Sequence, residues 1–254
     1  MNLSLILDVL PLLADGMILT AKLTTVSIIL GAFIALPLSL MRTSSTVFLF
    51  VPVLVYTFVF RGTPLLVQLF LVYYGAGQID WIRSSAAWVI LREPFWCALI
   101  AFSLNHAAYT TEILRGGIRA VPFGDVEAAK ALGMSYALRT RRVVLPAAIR
   151  LALPAYANEV VLMLKASSLA STITLMELTG SARKIVAQTF SPYEVFISAA
   201  LIYLGITLVI SHVFAKFERH LAKHQQRNSQ TGNSRLAEMT ATIRRPRLPG
   251  SVSR

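Results

Sequence analysis

The sequence predicts an all-α protein that crosses a membrane several times, and three observations carry this. Charged residues make up only 14% of the 254 residues and hydrophobic ones 56%, whereas about a quarter of a soluble domain is charged. Leu23 to Met41 runs for 19 residues without a charge. Val195 to Ala215 does so for 21, and an α-helix needs roughly 20 such residues to cross hydrocarbon.

Five spans are expected: residues 21–41, 47–76, 94–114, 151–175 and 193–217. The first is stopped by Arg42. The second is interrupted by Arg61-Gly62-Thr63-Pro64; a kink at Pro64 is expected there, with Arg61 snorkelling toward the cytoplasmic end. The chain divides into an external N-terminal segment (1–20), a membrane domain (21–222) and a tail (223–254). Met1 to Asp15 lacks a basic n-region and a small-residue cleavage site, so no removable signal peptide is expected. Cys97 is the only cysteine, which excludes an intrachain disulfide.

The net charge of +12 invites a nucleic-acid reading, but its distribution argues against one. Of the 24 Lys and Arg residues, nine lie in 216–254 and seven in 115–150. Cations clustered beside spans set the cytoplasmic side. Both clusters agree on an N-terminus outside and a C-terminus inside. Little apolar area is available beyond residue 223, so the basic tail is expected to be disordered.

The loop at 121–146 is the anomaly. Pro122 or Asp125 begins a helix, and Asp125 and Glu127 favour its positive end. Ala128, Ala129 and Ala131 give it a face without bulk. Gly133 can adopt positive φ and end it. Ser135 can cap a second helix, carrying Arg139, Arg141 and Arg142 and stopping near Pro146. A small-faced helix suits docking into a groove of another protein. An amphipathic helix lying on the bilayer fits the arginines but not the alanines.

Inside the spans, Glu159 costs about 2.5–3.5 kcal/mol to insert, so it should face protein or a watery path. Asn158 and Lys165 are seven apart and share a helical face, with Ser167 and Ser168 next. These residues form the candidate transfer site, Glu159 meeting a cationic group of a solute. The alternative is structural: Glu159 holds a neighbouring helix or pairs with Lys165 or Arg61. Glu112 and Arg115 have ion-pair spacing. His106, beside Asn105, is expected to bond between helices. No His/Cys cluster supports a metal.

The loop resembles the EAA motif of the permease subunits of bacterial ABC importers. Glu127-Ala128-Ala129, Gly133, Val143 and Leu145-Pro146 match its spacings, with Val143 where the family has Ile. The likeness extends over about residues 15–222, through FRGTPLLVQ (60–68), AAYTTEILRGGIRAVP (107–122), ALPAYANEVVLML (152–164) and KASSLAS (165–171). It is most similar to the M-type permeases of histidine, basic amino-acid and opine (octopine, nopaline) systems.

That resemblance implies the type I importer permease fold of five membrane helices, with the EAA loop as a cytoplasmic coupling helix between spans three and four. It implies a bacterial inner-membrane location, ABC ATPase subunits, a homologous Q-type permease and a periplasmic solute-binding protein as partners. The chain itself would be a non-catalytic subunit without a cofactor, ATP being bound by the ATPase; it contains no G-x-x-x-x-G-K-[ST] loop. It departs from the polar amino-acid pattern at Ala166, where an acid follows the lysine. The competing classes are a membrane-embedded enzyme, protease or lipid transferase, for which no G-x-S-x-G elbow is present, and a passive channel.

Overall fold

The computed structural model describes the backbone of residues 3–243 and the side chains of Ile6 and residues 8–221. Among the described residues the structure is helical, with no strand. The first unit covers residues 1–214 and the second 215–254.

Short α1 (Leu3–Leu12) leads into α2 (Ala14–Arg42). The first span thus begins seven residues before the expected position. Asp15 in its first turn suits the positive end of the helix dipole, and the apolar run merely follows. Then come α3 (Val47–Gly62) and α4 (Leu65–Phe70), the latter continued by a π-helical turn, Leu71–Gly75. Two one-turn helices, α5 (Asp80–Arg83) and α6 (Trp88–Leu91), precede α7 (Pro94–Arg119).

The helix α7 is the centre of the unit and packs against α2, α3, α4 and the later α10 (Leu145–Ala166). The packing of α2 on α7 is close because small residues line it. A Cβ on Gly31 would stand 2.8 Å from Cδ2 of His106. Between membrane helices such small residues let backbones approach where no hydrophobic force drives association. At the C-terminal end of α7, a Cβ on Gly117 would run into the Ala148 carbonyl of α10.

Among the described residues, three helical stretches are long and apolar enough to cross a membrane: Ala14–Arg42, Tyr136–Ile173 and Pro192–Leu221. A fourth is the pair Val47–Gly62 and Leu65–Gly75 if it counts as one span, bent by 103°. The bend lies where the sequence places a kink but is far larger, because Thr63 and Pro64 are both extended (ψ 144° and 134°). The helix α7 has 26 residues, about 39 Å at 1.5 Å each. Its buried Asn105, His106, Thr110 and Thr111 make it less apolar than its neighbours.

The loop after α7 forms α8 (Phe123–Ala131) and α9 (Tyr136–Arg139). The second of these does not stop near Pro146. A π-helical turn, Thr140–Val144, carries it into α10, with Leu145 N–H donating to Thr140 O. That turn relieves the proline: its missing N–H and bulky ring disturb an α-helical register, and an i→i+5 turn resets it.

The helix α10 tightens into a 3₁₀ stretch, Ser167–Ile173, and α11 (Leu178–Thr189) follows. The sequence reading assigns no helix to 178–189. The signal was Glu177: its carboxylate accepts from Thr179 N–H (3.0 Å) and Gly180 N–H (2.9 Å) and caps α11. The same buried group accepts from Tyr203 (3.0 Å) and Thr20 (3.3 Å).

The last helix is α12 (Pro192–Ile243). Residues 223–243 are thus helical in backbone where disorder is expected. Ala, Lys, Gln, Arg and Glu favour helix locally, without needing a core. Residues 244–254 lie outside the described residues.

Candidate functional site

Two surfaces carry the residues that the sequence singles out. The first is the loop between α7 and α10. Pro122 (ψ 131°) opens α8, with Glu127 and Ala128 exposed and Ala129 buried. The helix ends at Gly133, whose φ is +73°. Met134 N–H donates to Ala129 O (3.1 Å) and Gly133 N–H to Lys130 O (2.9 Å). This is the paired 6→1 and 5→2 closure that requires a left-handed residue, usually glycine.

Ser135 then caps α9, its Oγ accepting from Leu138 N–H. Leu145 and Pro146 start α10 and are half-buried. The expectation of two helices joined at a glycine therefore describes the backbone. Large apolar side chains also stand out in solvent here: Leu132 is 81% exposed, Phe123 72% and Tyr136 66%.

The second surface is a cavity of about 470 Å³ between the bend of α3–α4, α7 and α10. Its polar lining is Arg61, Thr63, Asn105, Tyr109 and Glu159. Glu159 is 7% exposed. Its Oε1 lies 3.6 Å from Nδ1 of His106, not beside Lys165 or Arg61. The His106 ring is fully buried, with Nε2 3.3 Å from Thr110 Oγ1.

The other candidates part from Glu159. Asn158 and Lys165 are exposed, while Ser167 is buried and donates to Leu164 O. Ser168 donates to Lys165 O. Lys165 and Ser168 line a separate cavity of about 490 Å³ with Thr179, Tyr203 and Thr207. The helical turn explains the division. Residues seven apart share a stripe, so Asn158 goes with Lys165, and Glu159 goes with Ala166. Ala166 indeed lines the Glu159 cavity.

Arg61 stands at the C-terminal end of α3. Arg42 stacks on Phe50 near the start of α3, 4.4 Å from the ring centroid. Arg61 lies at the other end, 14 residues from Val47, or about 21 Å along the axis. It is held at the cavity, with its guanidinium 5.3 Å from the Tyr109 ring.

The bend that places Arg61 is pinned by two amides. Pro64 has no N–H to offer Phe60 O, and Gln68 Nε2 supplies one at 2.8 Å. Gln68 also donates to Thr63 O (3.2 Å) and Thr63 Oγ1 (2.8 Å). Asn105 Nδ2 donates to Gln68 Oε1 (2.9 Å) and to Phe60 O (3.3 Å). The sequence reading gives Gln68 no role. A polar residue four past an interrupting proline was the available signal.

Residues 27–223 match the model of the family described as binding-protein-dependent transport system inner membrane component. The chain is 51% identical over 206 residues to the octopine transport system permease protein OccM of Rhizobium meliloti, covering 81% of this chain and 84% of that protein. It is 46% identical to the nopaline transport system permease protein NocM of Agrobacterium fabrum, over 89% and 94% of the two chains. With the histidine/lysine/arginine/ornithine transport system permease protein HisM of Escherichia coli it shares 40% identity, over 84% and 90%.

A crystal structure of an amino acid ABC transporter with histidines superposes with a TM-score of 0.77 at 37% identity, covering 87% of this chain and 99% of that one. The MetNI methionine ABC transporter in an inward-facing form shares the fold, with a TM-score of 0.70 at 18% identity and the same coverage. The chain belongs to the family of binding-protein-dependent transport system inner membrane components.

Proposed function

We propose that this chain is a permease subunit of an ABC importer that carries a polar amino acid or an amino-acid-derived opine inward. The relatives are named for octopine, nopaline and basic amino-acid transport, and the solute belongs to that group. The chain crosses the inner membrane five times, α7 serving as the third span, with its N-terminus outside and its C-terminus inside. ATP is bound and hydrolysed by separate ATPase subunits, a periplasmic protein delivers the solute, and a homologous Q-type permease completes the pore.

The observation that carries the coupling role is the α8–Gly133–α9 segment. It projects Phe123, Leu132 and Tyr136 into solvent beside the small residues Ala128 and Gly133. Contiguous exposed apolar groups on a structured loop mark an interaction site. Glu127, Ala128 and Gly133 form the surface that enters the ATPase, Ala129 packs behind it inside this chain, and Leu145 and Pro146 pass its movement directly into α10. Movement there reaches Glu159, four turns along the same helix. Glu159 meets the cationic group of the solute in the cavity, while Asn158, Lys165, Ser167 and Ser168 border the path without lining it. Alternating access is then a two-state equilibrium biased by closure of the ATPases.

Reconstitution tests this. Uptake into proteoliposomes should require ATP, the ATPase and the binding protein together. Solute flux through the permease without ATP would refute it.

A further inference from the structure

We propose that the outward side of α7 is a fixed seat for one membrane phospholipid, its phosphate on Lys22 and its two acyl chains in the two apolar grooves that flank Leu104. The lipid belongs to the leaflet at the N-terminal end of α7. This rests on α7 crossing the membrane and not on the solute or coupling readings.

Trp96, Ile100, Ser103 and Leu104 recur along α7 at i, i+4, i+7 and i+8, one helical stripe. With Leu30 and Ile34 of α2 they line a groove of about 320 Å³. A second groove of about 220 Å³ lies on the other side of Leu104, behind the α3–α4 bend, with Val59, Val67 and Leu71 on its far wall. By helical periodicity the stripe is on the side of α7 turned away from Asn105 and Tyr109, which line the solute cavity. The grooves open outward: Val67 is 46% and Leu71 66% exposed. From Trp96 to Leu104 is eight residues, about 12 Å along the axis, which fits one leaflet of a hydrocarbon core roughly 30 Å thick.

Apolar grooves alone would hold only passing lipid, because lipid tails are as apolar as the side chains they meet. The fixation comes from the headgroup end. Lys22, Val26, Leu30 and Ile34 follow one another at four-residue intervals on α2, so the ridge that walls the first groove ends in a cation. Helices α2 and α7 run parallel, since Gly31 meets Ser103 and His106 while Arg42 meets Glu112. At the other end Lys22 Nζ lies 5.3 Å from the ring centroid of Phe95, beside Trp96. Lys22 is exposed and belongs to none of the ion pairs among the described residues. All three tryptophans of the chain fall within 81–96, and tryptophan marks the headgroup level. An ammonium there meets a phosphate as a point charge. The second groove is also bordered by Phe60, Thr63 and Gln68, which pin the bend, so the seated chain backs the bend from outside.

The test uses the assembled transporter in proteoliposomes doped with phosphatidylglycerol that carries a diazirine midway along its acyl chain. Photolabelled positions are mapped by mass spectrometry. Ile100, Leu104 and Val67 should be labelled at least about fivefold more than Ile29 and Phe33, which are exposed at similar depth on α2 without lining either groove. Lys22→Gln should bring the groove down to that background, and Lys22→Arg should keep most of the excess. Equal labelling of groove and background in wild type overturns the proposal, even if no variant assembles. So does an excess that Lys22→Gln leaves unchanged, which removes the phosphate seat, or a groove that cross-links only to polypeptide, which makes it a subunit interface. Label on Phe33 with none anywhere on α7 overturns it too, together with the five-span reading; uptake driven by ATP would still stand as a separate measurement.

Discussion

Nε of Arg42, at the C-terminal end of α2, lies 2.9 Å from Oε1 of Glu112 on α7, and Arg115 meets the other oxygen of the same carboxylate at 2.5 Å. This bond puts the C-terminal ends of α2 and α7 on one side, so residues 43–93 must cross to the opposite side, from which α7 returns. The side chains of Arg42 and Glu112 are each about 10% exposed. Removing the acid strands two cations, and breaking a buried pair by deleting one partner costs about 3–5 kcal/mol. Glu112→Ala should therefore lower the thermal midpoint of the detergent-purified complex markedly. Adding Arg42→Gln should cost less than the sum of the two single changes, because both remove the same contact. Additive losses would show that the pair is incidental.

That bond also separates what the sequence reveals from what it hides. The i,i+3 spacing of Glu112 and Arg115 was legible; the partner 70 residues away was not. Signals that act locally came through: the alanine run, Gly133, the Ser135 cap. Pro64 marked a break, but its 103° size depends on Gln68 and Asn105 meeting across two elements. The stripe shared by Glu159 and Ala166 was derivable from helical periodicity. Which stripe meets the cavity is decided by the packing of α10 on α7, and no local pattern encodes that. Helix α11 went unread because its cap is a glutamate, outside the usual Ser, Thr, Asp and Asn.

The approach of α2 to α7 yields a second prediction. A Cβ at Gly31 would lie 2.8 Å from His106 Cδ2 and 3.0 Å from the backbone oxygen of Ser103. Overpacking of this kind costs about 1–3 kcal/mol. Gly31→Ala should lower the unfolding temperature, and Gly31→Leu should prevent assembly with the ATPase. His106→Ala should rescue Gly31→Ala only in part, since the Ser103 carbonyl remains in place. Full rescue would mean that the histidine ring alone sets the spacing.

The amide pin offers a third. Gln68→Leu removes the donor to Thr63 O, leaves Phe60 O with only the longer bond from Asn105, and takes from buried Asn105 its acceptor, Gln68 Oε1. Orphaning a buried polar group such as the Asn105 amide costs about 1–3 kcal/mol, and that loss falls on the bend that presents Arg61. Uptake in proteoliposomes should show a KM raised several-fold, while the ATPase still copurifies. Loss of copurification instead would make Gln68 a general folding residue.

Gly133 supplies the last prediction, because it separates a backbone requirement from a docking requirement. Its φ of +73° closes α8, yet a Cβ there would meet nothing within 4 Å. Within this chain a side chain is excluded by conformation alone. Non-glycine residues pay about 1–2 kcal/mol in that region, and Asn and Asp tolerate it best. Gly133→Asn should therefore keep the loop and most of the uptake, and Gly133→Val should lose the turn. Gly133→Asp has the shape of Asn but places an anion at the C-terminal end of α8, where the dipole opposes it. It also puts that charge on the surface proposed to dock on the ATPase. It should insert normally, lose ATPase copurification and abolish uptake. If Asp behaves as Asn does in both assays, the segment needs only its turn, and the surface around Gly133 is not the one that docks.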